Sequence, residues 1–321
     1  MQTTRAKILE SIRPVIESSK HVSVIPSEVE NTAKALLNEP VPPWNNDLQL
    51  SGTPEETAYY YFFLDSAQGC FWGPKGQTRW EYLIDGEWRG GYYAFSRAVK
   101  DAFKKNPRLL DASSLADISK EDFAALFPGR NKFLLMDERH KIIRENFGIL
   151  RDRFDGSVLN LLEQAGQDVD KLVTLLLEHF PTFRDVAERH GKPVLFLKRA
   201  QIFPSDLYFS GVEHPLFKFK NLENLTIFAD YKLPQLLEAL GVIVYDEELA
   251  SDIIEERLIP AGSLKEIEIR ANTIVACEQI VAAMRSMGRA ITTREFDWIF
   301  WVKAQATVFT KPHHKTLTIF Y

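Results

Sequence analysis

Phe228-Ala229-Asp230-Tyr231-Lys232-Leu233-Pro234-Gln235 sets one carboxylate between aromatic rings, a lysine two residues on, and a proline where a helix is about to begin. A carboxylate in apolar company is unfavourable unless something uses or satisfies it. The residue before a proline is pushed away from helical angles, so a helix is predicted to open near Pro234 with Asp230 on its approach. That end of a helix is electropositive and suits an anion. Two uses of Asp230 stay open: a carboxylate that works on a developing cation, or an Asx-turn or cap, the commoner role of aspartate before a helix.

Other positions could join it. Lys198 and Arg199 interrupt an otherwise apolar run, Val194 to Phe203. On a helix these neighbours point in different directions. An inward cation needs an anion, which Asp230 or a substrate phosphate would supply; the other reading has both side chains reaching solvent. Asp206 follows amid aromatics and could accept N–H donors from a purine-like edge, or it could cap a helix with Ser205. Phe71 and Trp72 end the stretch Tyr59 to Trp72, in which Asp65 also sits. Rings offer stacking faces to a flat heterocycle, although Tyr59 to Phe63 read first as core. Gly90-Gly91 could present amides to a phosphate or simply make a turn. His314 and Lys315, in Pro312-His313-His314-Lys315-Thr316, offer phosphate donors or a solvated basic tail.

The elements that must hold these residues are mostly helices. Ser27-x-x-Glu30, Thr53-x-x-Glu56 and Thr292-x-x-Glu295 read as capping boxes, with Pro54 at the first helical position. Ser119 opens a short helix. Leu233, Leu236, Leu237 and Leu240 form a stripe that stops at Gly241. Residues 264–287 carry a long helical pattern, and Ile8, Leu9, Ile12, Val15 and Ile16 a helical N-terminus. Extended runs are fewer: residues 70–72 and 79–84, the turn Asp85-Gly86, and Trp88 predict a hairpin, and Leu317 to Phe320 a short strand. Residues 39–52, with three prolines, predict a loop. No repeat or long linker divides residues 1–321, so a single compact, mainly α domain with a small β insertion near 70–90 is expected.

Bulk properties narrow the function. Lys and Arg number 39 against 44 Asp and Glu, a net charge of −5, which argues against a stable nucleic-acid complex. Cys70 and Cys277 are the only cysteines, too few for a disulfide framework or a cysteine zinc site, so a reducing cytoplasmic setting is expected. The seven histidines show no HExxH or HxH spacing. No metal is expected. No apolar run reaches membrane-spanning length, and no G-x-S-x-G occurs.

The succession of blocks resembles the queuosine salvage family. It runs through residues 65–72, 91–94, Lys198-Arg199-Ala200-Gln201-Ile202, Phe228 to Gln235, Glu266-Ile267-Glu268-Ile269-Arg270-Ala271, Asp297-Trp298-Ile299-Phe300-Trp301 and the tail from His314 to Tyr321. Phe-Ala-Asp-Tyr before Pro-Gln, and Glu-Ile-Glu-Ile-Arg after it, are the most specific. Lys232 and Lys315 stand where the resemblance leads one to expect Arg, and Gln68 where it leads one to expect Asn, which bears on fine substrate preference. The resemblance implies a fold similar to helical DNA glycosylases and hydrolysis of the N-glycosidic bond of queuosine 5'-phosphate. The products would be queuine, for tRNA salvage, and ribose 5-phosphate, with no metal or organic cofactor. A monomer is the expected working unit. The roles then expected are Asp230 as the catalytic carboxylate, Lys198 as its partner or a ribose-phosphate ligand, and Asp206 as reader of the 7-deazaguanine edge. Phe71, Trp72 or Tyr231 would stack on the base, and Lys232, His314 and Lys315 complete the substrate-binding set, the last two toward phosphate. The competing class is a non-catalytic helical scaffold or a nucleotide- or tRNA-binding module. A calcium-dependent nucleoside hydrolase is disfavoured by the lack of an Asp-rich motif near the N-terminus.

Overall fold

The structure is a computed structural model that describes residues 2–44 and 47–321. In chain order the elements are α1 (Thr4–Glu17), β1 (Val22–Val24), α2 (Pro26–Ala35), α3 (Pro54–Ala67), β2 (Glu81–Ile84), β3 (Glu87–Gly90), α4 (Tyr92–Lys105), α5 (Ala112–Ala116), α6 (Lys120–Ala125) and α7 (Met136–Arg153). Then come α8 (Val158–Ala165), α9 (Val169–His179), β4 (Val186–Arg189), β5 (Lys192–Leu195), α10 (Lys198–Phe209), α11 (Lys232–Ala239), β6 (Ile243–Tyr245), α12 (Glu247–Ile254), α13 (Leu264–Ser286) and α14 (Thr293–Ala306). The fold is mainly α. Among the described residues the strands form three antiparallel pairs, β1 with β6, β2 with β3 and β4 with β5.

The described residues fall into two compact units. The first comprises residues up to Pro43, Asp185–Gln201 and Leu222–Leu317; the second comprises Trp44–Arg184, Ile202–Asn221 and Thr318–Tyr321. The division of the chain falls inside α10.

In the first unit α13 is buried along most of its length, from Glu266 to Met284, and packs against α1, α2, β1, α11 and α14. Its buried polar side chains, Glu266, Glu268, Arg270, Asn272 and Glu278 among them, must find partners inside the fold. Ser263 caps the helix. The Thr292 box at the start of α14 is complete: Glu295 N–H donates to Thr292 Oγ1 at 3.1 Å, and Thr292 N–H donates to Glu295 Oε2 at 2.8 Å. The Ser27 box is not formed. Pro26 starts α2 one residue earlier, with Ile25 at the N-cap, so Ser27 lies inside the first turn and bonds Glu28 instead. Pro26 fits that first position because its fixed φ suits a helix and its missing N–H is not needed.

The second unit is built around α3. Tyr59, Tyr60, Tyr61, Phe62 and Phe63 are all buried, and Phe62 meets Phe147, Phe180 and Phe203 edge-on at 5.3 to 5.5 Å between centroids. These rings are core, as expected. The Thr53 box and Pro54 open α3, and Ser119 caps α6. The expected hairpin is β2–β3; Asp85 and Gly86 both have positive φ, the condition for its two-residue turn. Residues 70–72 and 79–80, expected to extend it, are outside any strand. Leu317 to Phe320 is likewise not a strand, for its backbone finds no ladder: Phe320 N–H turns back to Thr318 Oγ1. The loop predicted over 39–52 carries no helix or strand in its described residues, Asn45 and Asn46 lying outside them.

Candidate active site

Asp230 lies in the first unit at the entry to α11 and is 7 % exposed. Its Oδ1 accepts the N–H of Lys232 at 2.7 Å and of Leu233 at 2.9 Å. The helix starts two residues before Pro234, and Asp230 binds amides that the first turn would otherwise leave without partners. The two expected uses of this residue are therefore compatible: it caps α11 through one oxygen, and its carboxylate is fixed by that bond.

The loop before it is anchored at successive points. Thr226 N–H donates to Gln201 Oε1 at 2.9 Å, and Phe228 N–H to Asp297 Oδ1 at 2.8 Å. The Ala229 carbonyl accepts Arg270 Nε at 3.3 Å. Arg270 in turn meets Asp185 with both terminal nitrogens, at 2.8 and 2.6 Å, and Glu266 at 3.5 Å, all side chains almost fully buried. Its guanidinium also lies 4.0 Å from the Phe196 ring centroid. Asp185 Oδ2 accepts the backbone N–H of Lys198 at 3.1 Å. One buried ion pair thus fixes both the start of α10 and the residue before Asp230.

Lys198 is 6 % and Arg199 1 % exposed, so neither reaches solvent, and the reading in which both do so is not met. The run before them is not helical either: Val194 and Leu195 belong to β5, Leu197 takes a positive φ, and α10 begins at Lys198. The ammonium of Lys198 bears electrostatically on Asp297.

Asp297, on α14, was not among the expected site residues. It is 6 % exposed. Burial pushes its carboxyl up to about 7, and the charge of Asp230 adds to the rise; the Phe228 N–H, Lys198 and Arg294 oppose it. A buried carboxyl resists ionisation chiefly because its charge would be desolvated, and a like charge nearby adds to that resistance. Its signal in the sequence was of the same kind as that of Asp230: one acid in the run Phe296-Asp297-Trp298-Ile299-Phe300-Trp301.

Tyr231 lies against His313, ring centroids 4.4 Å apart and planes tilted by 32°, and His313 Nδ1 lies 2.7 Å from the His314 carbonyl. Lys232 Nζ donates to Gln235 at 2.9 Å and lies 4.7 Å from the Phe309 ring centroid. His314 and Lys315 are buried rather than a solvated tail. Burial holds the His313 imidazole down to about 4 and that of His314 down to about 3, with neighbouring cations adding to both. Both rings are therefore neutral at pH 7, and His314 offers dipoles rather than charge. Lys315 Nζ pairs with Glu256 at 2.8 Å.

In the second unit, Asp206 lies inside α10, so neither it nor Ser205 caps a helix. It is 6 % exposed, and Tyr92 Oη donates to its Oδ2 at 3.4 Å while accepting Gln49 Nε2 at 3.1 Å. Burial first, and the Asp206 charge next, push the Tyr92 phenol well up. Asp65, fully buried, accepts Gln68 Nε2 at 2.6 Å. Phe71 packs on Phe95 and Phe133 with Arg139 against its face, and Trp72 is buried beside it. Gly91 is the N-cap residue of α4 at a positive φ.

Among the described residues, His21, Asp246 and Glu248 bring ligand atoms together on the first unit. His21 Nδ1 bonds Asp246 at 2.8 Å, Asp246 caps α12, and Glu248 pairs with Lys265. No described helix is long and apolar enough to cross a membrane.

A mainly helical fold whose first unit sets two buried aspartates on one loop and the helix bonded to it, Asp230 and Asp297, with Lys198 bearing on the latter, marks a class of protein with a candidate two-carboxyl site. The family model described as queuosine salvage protein matches residues 48–321. Relatives named queuosine 5'-phosphate N-glycosylase/hydrolase include one from Sphaerobacter thermophilus, 38 % identical over 99 % of this chain and 98 % of its own. Another, from Dictyostelium discoideum, is 37 % identical over 83 % of this chain and 79 % of its own. A third, from Mus musculus, is 33 % identical over 84 % and 82 %. The chain belongs to the queuosine salvage protein family.

Proposed function

We infer that this chain hydrolyses the N-glycosidic bond of queuosine 5'-phosphate, releasing queuine for tRNA salvage and ribose 5-phosphate. The observation that carries the reading is the fixed, buried carboxylate of Asp230 in a member of this family. Breaking the C1'–N bond builds positive charge on the ribose ring, and a carboxylate held in place before the reaction steadies that charge without reorganising. Asp230 has one oxygen committed to two amides, so the carboxylate enters the reaction already oriented. It stabilises the cation and takes the proton of the attacking water. Lys198 balances the negative charge of the site or meets the ribose phosphate.

The remaining roles belong to the same proposal. Tyr231, Phe71 and Trp72 offer stacking surfaces to the base, and Asp206, its orientation set by Tyr92, accepts N–H donors of the 7-deazaguanine edge. Lys232 and Lys315 supply charge for the phosphate, and His314 a neutral donor or acceptor. The chemistry assigned to these residues calls on no metal or organic cofactor. We place the reaction in the cytoplasm, in a monomer acting on the free nucleotide without a stable nucleic-acid complex. Residues 1–321 are taken to work as a single domain.

The test is direct. Purified protein incubated with queuosine 5'-phosphate is expected to release free queuine, read by chromatography, and Asp230→Asn, which keeps the cap acceptor and removes the charge, is expected to lose about a thousandfold in rate. That figure follows from about 4 kcal/mol between unit charges 4 Å apart at an effective dielectric near 20. Release at the wild-type rate by Asp230→Asn would remove Asp230 from the chemistry.

A further inference from the structure

Given the hydrolase activity proposed above, the departing base presents a chemical problem. Queuine is a 7-deazaguanine, with carbon where guanine has N7. The usual way of making a purine leave, protonation at N7, is closed. The electron pair of the broken C1'–N9 bond needs a proton at another basic atom of the base. Asp230 cannot be its source while it acts as the anion that steadies the sugar.

We propose that Asp297 is the acid of the reaction: its carboxyl proton passes to a nitrogen or oxygen of the departing base while Asp230 acts as the anion. Asp297 Oδ1 accepts the Phe228 N–H at 2.8 Å, two residues before Asp230. The same loop therefore ties the two carboxyls together. This bond leaves Asp297 Oδ2 as the natural carrier of the proton.

The surrounding charges favour that arrangement. Asp230 faces Asp297 from the loop, Lys198 from α10 and Arg294 from α14 itself. From α13 come Cys277, a thiol that burial pushes well up, and Glu278, which is paired with Arg5. The titratable groups of α11, Lys232 and Glu238, turn to Gln235 and Lys311, and Glu223 before it is exposed. Burial and the Asp230 charge then leave Asp297 protonated in a large fraction of molecules at neutral pH.

The step balances. The C1'–N9 bond breaks and its electron pair stays with the base, which takes the Asp297 proton. The water oxygen bonds C1', and its proton passes to Asp230. Transfer of that proton from Asp230 to Asp297 restores the starting state, with one water consumed.

Two substrates and a pH series test the role. Ribose 5-phosphate carrying a p-nitrophenyl leaving group needs no proton to depart. Asp297→Asn retains an oxygen for the Phe228 N–H. It is expected to lose about 10²–10⁴-fold in kcat on queuosine 5'-phosphate, the usual contribution of a general acid, and less than about tenfold on the nitrophenyl substrate. Asp230→Asn is expected to lose heavily on both. The wild-type kcat/KM on queuosine 5'-phosphate should fall as pH rises through about 7, and the residual rate of Asp297→Asn should lack that fall. Equal losses on the two substrates, or a falling limb that survives in Asp297→Asn, overturn the proposal. If the wild type releases no queuine at all, the hydrolase reading itself fails and the acid role goes with it.

Discussion

Asp185→Asn is the sharpest perturbation of the frame that holds Asp230. It removes one charge from the Arg270 pair yet keeps an oxygen for the Lys198 N–H. The pair has two contacts, 2.8 and 2.6 Å, between side chains 3 % and 2 % exposed. Neutralising one partner of such a pair leaves a buried charge and typically costs about 3–5 kcal/mol. Arg270 keeps Glu266 at 3.5 Å and the Phe196 ring at 4.0 Å, so the lower end, about 3 kcal/mol, applies. That is a large share of the roughly 5–15 kcal/mol by which a protein is stable. With a urea slope near the upper end of about 1–3 kcal/mol per molar, the midpoint should drop by about 1 M, followed by tryptophan fluorescence. Activity per folded molecule should fall as well, because Arg270 also holds the Ala229 carbonyl beside Asp230. The double variant Asp185→Leu with Arg270→Met should recover much of the stability, since an apolar replacement of a buried pair is often neutral or better, but not the activity. A midpoint shift below about 0.2 M with unchanged kcat would refute the claim that this pair sets the loop.

Three further outcomes follow from the same geometry. The imidazoles of His313 and His314 sit near 4 and 3 in the folded chain against an ordinary 6.5; the unfolded chain binds more protons between those values, so stability is complete above about 6.5 and lost as pH falls toward 4. His314→Gln should flatten the urea midpoint against pH in that window, and an unchanged slope would exclude His314 as a source of the acid loss. Asp230→Ala removes the acceptor of two amides at the start of α11 and should cost about 1–2 kcal/mol, whereas Asp230→Asn should stay within about 0.5 kcal/mol; equal losses in urea titration would mean that the cap contributes little. Lys315→Met should raise KM for the nucleotide by about tenfold or more, the scale of a charge-assisted contact, and leave queuosine unaffected. Equal losses on nucleotide and nucleoside would end the phosphate role, and Glu256→Gln serves as the control for the broken Lys315–Glu256 pair.

Local rules carried much of the architecture. The Thr53 and Thr292 boxes, the Asp85-Gly86 turn and the long α13 pattern each depend on residues a few positions apart, and each is where spacing put it. The Ser27 box failed on a local competitor, because Pro26 claimed the first helical position. The β4–β5 hairpin was within reach of the same rules: His190 and Gly191 both take positive φ between Val186–Arg189 and Lys192–Leu195, and an X-Gly pair there is a turn signal. The β1–β6 pair was not legible. Its partners, Val22 to Val24 and Ile243 to Tyr245, are joined by no local turn, and each is only three residues long.

The site divides along the same line. A lone acid in apolar company marks Asp230 and Asp297 equally in the sequence, but what distinguishes them is supplied from far along the chain. Asp230 meets amides of its own helix, two and three residues on, so its role could be read from Lys232-Leu233-Pro234. Asp297 receives its one amide from Phe228, 69 residues away, and its burial from packing on α11 and α13. Arg270 and Asp185 stand 85 residues apart. Spacing can mark an acid as out of place; only the fold says which acid is given two amide donors and which is given one and pushed up by burial. In the reaction proposed for this chain, two carboxyls on one short loop and the helix bonded to it divide the work of a glycosidic cleavage only because these environments differ, and that difference is a property of long-range pairing rather than of either motif.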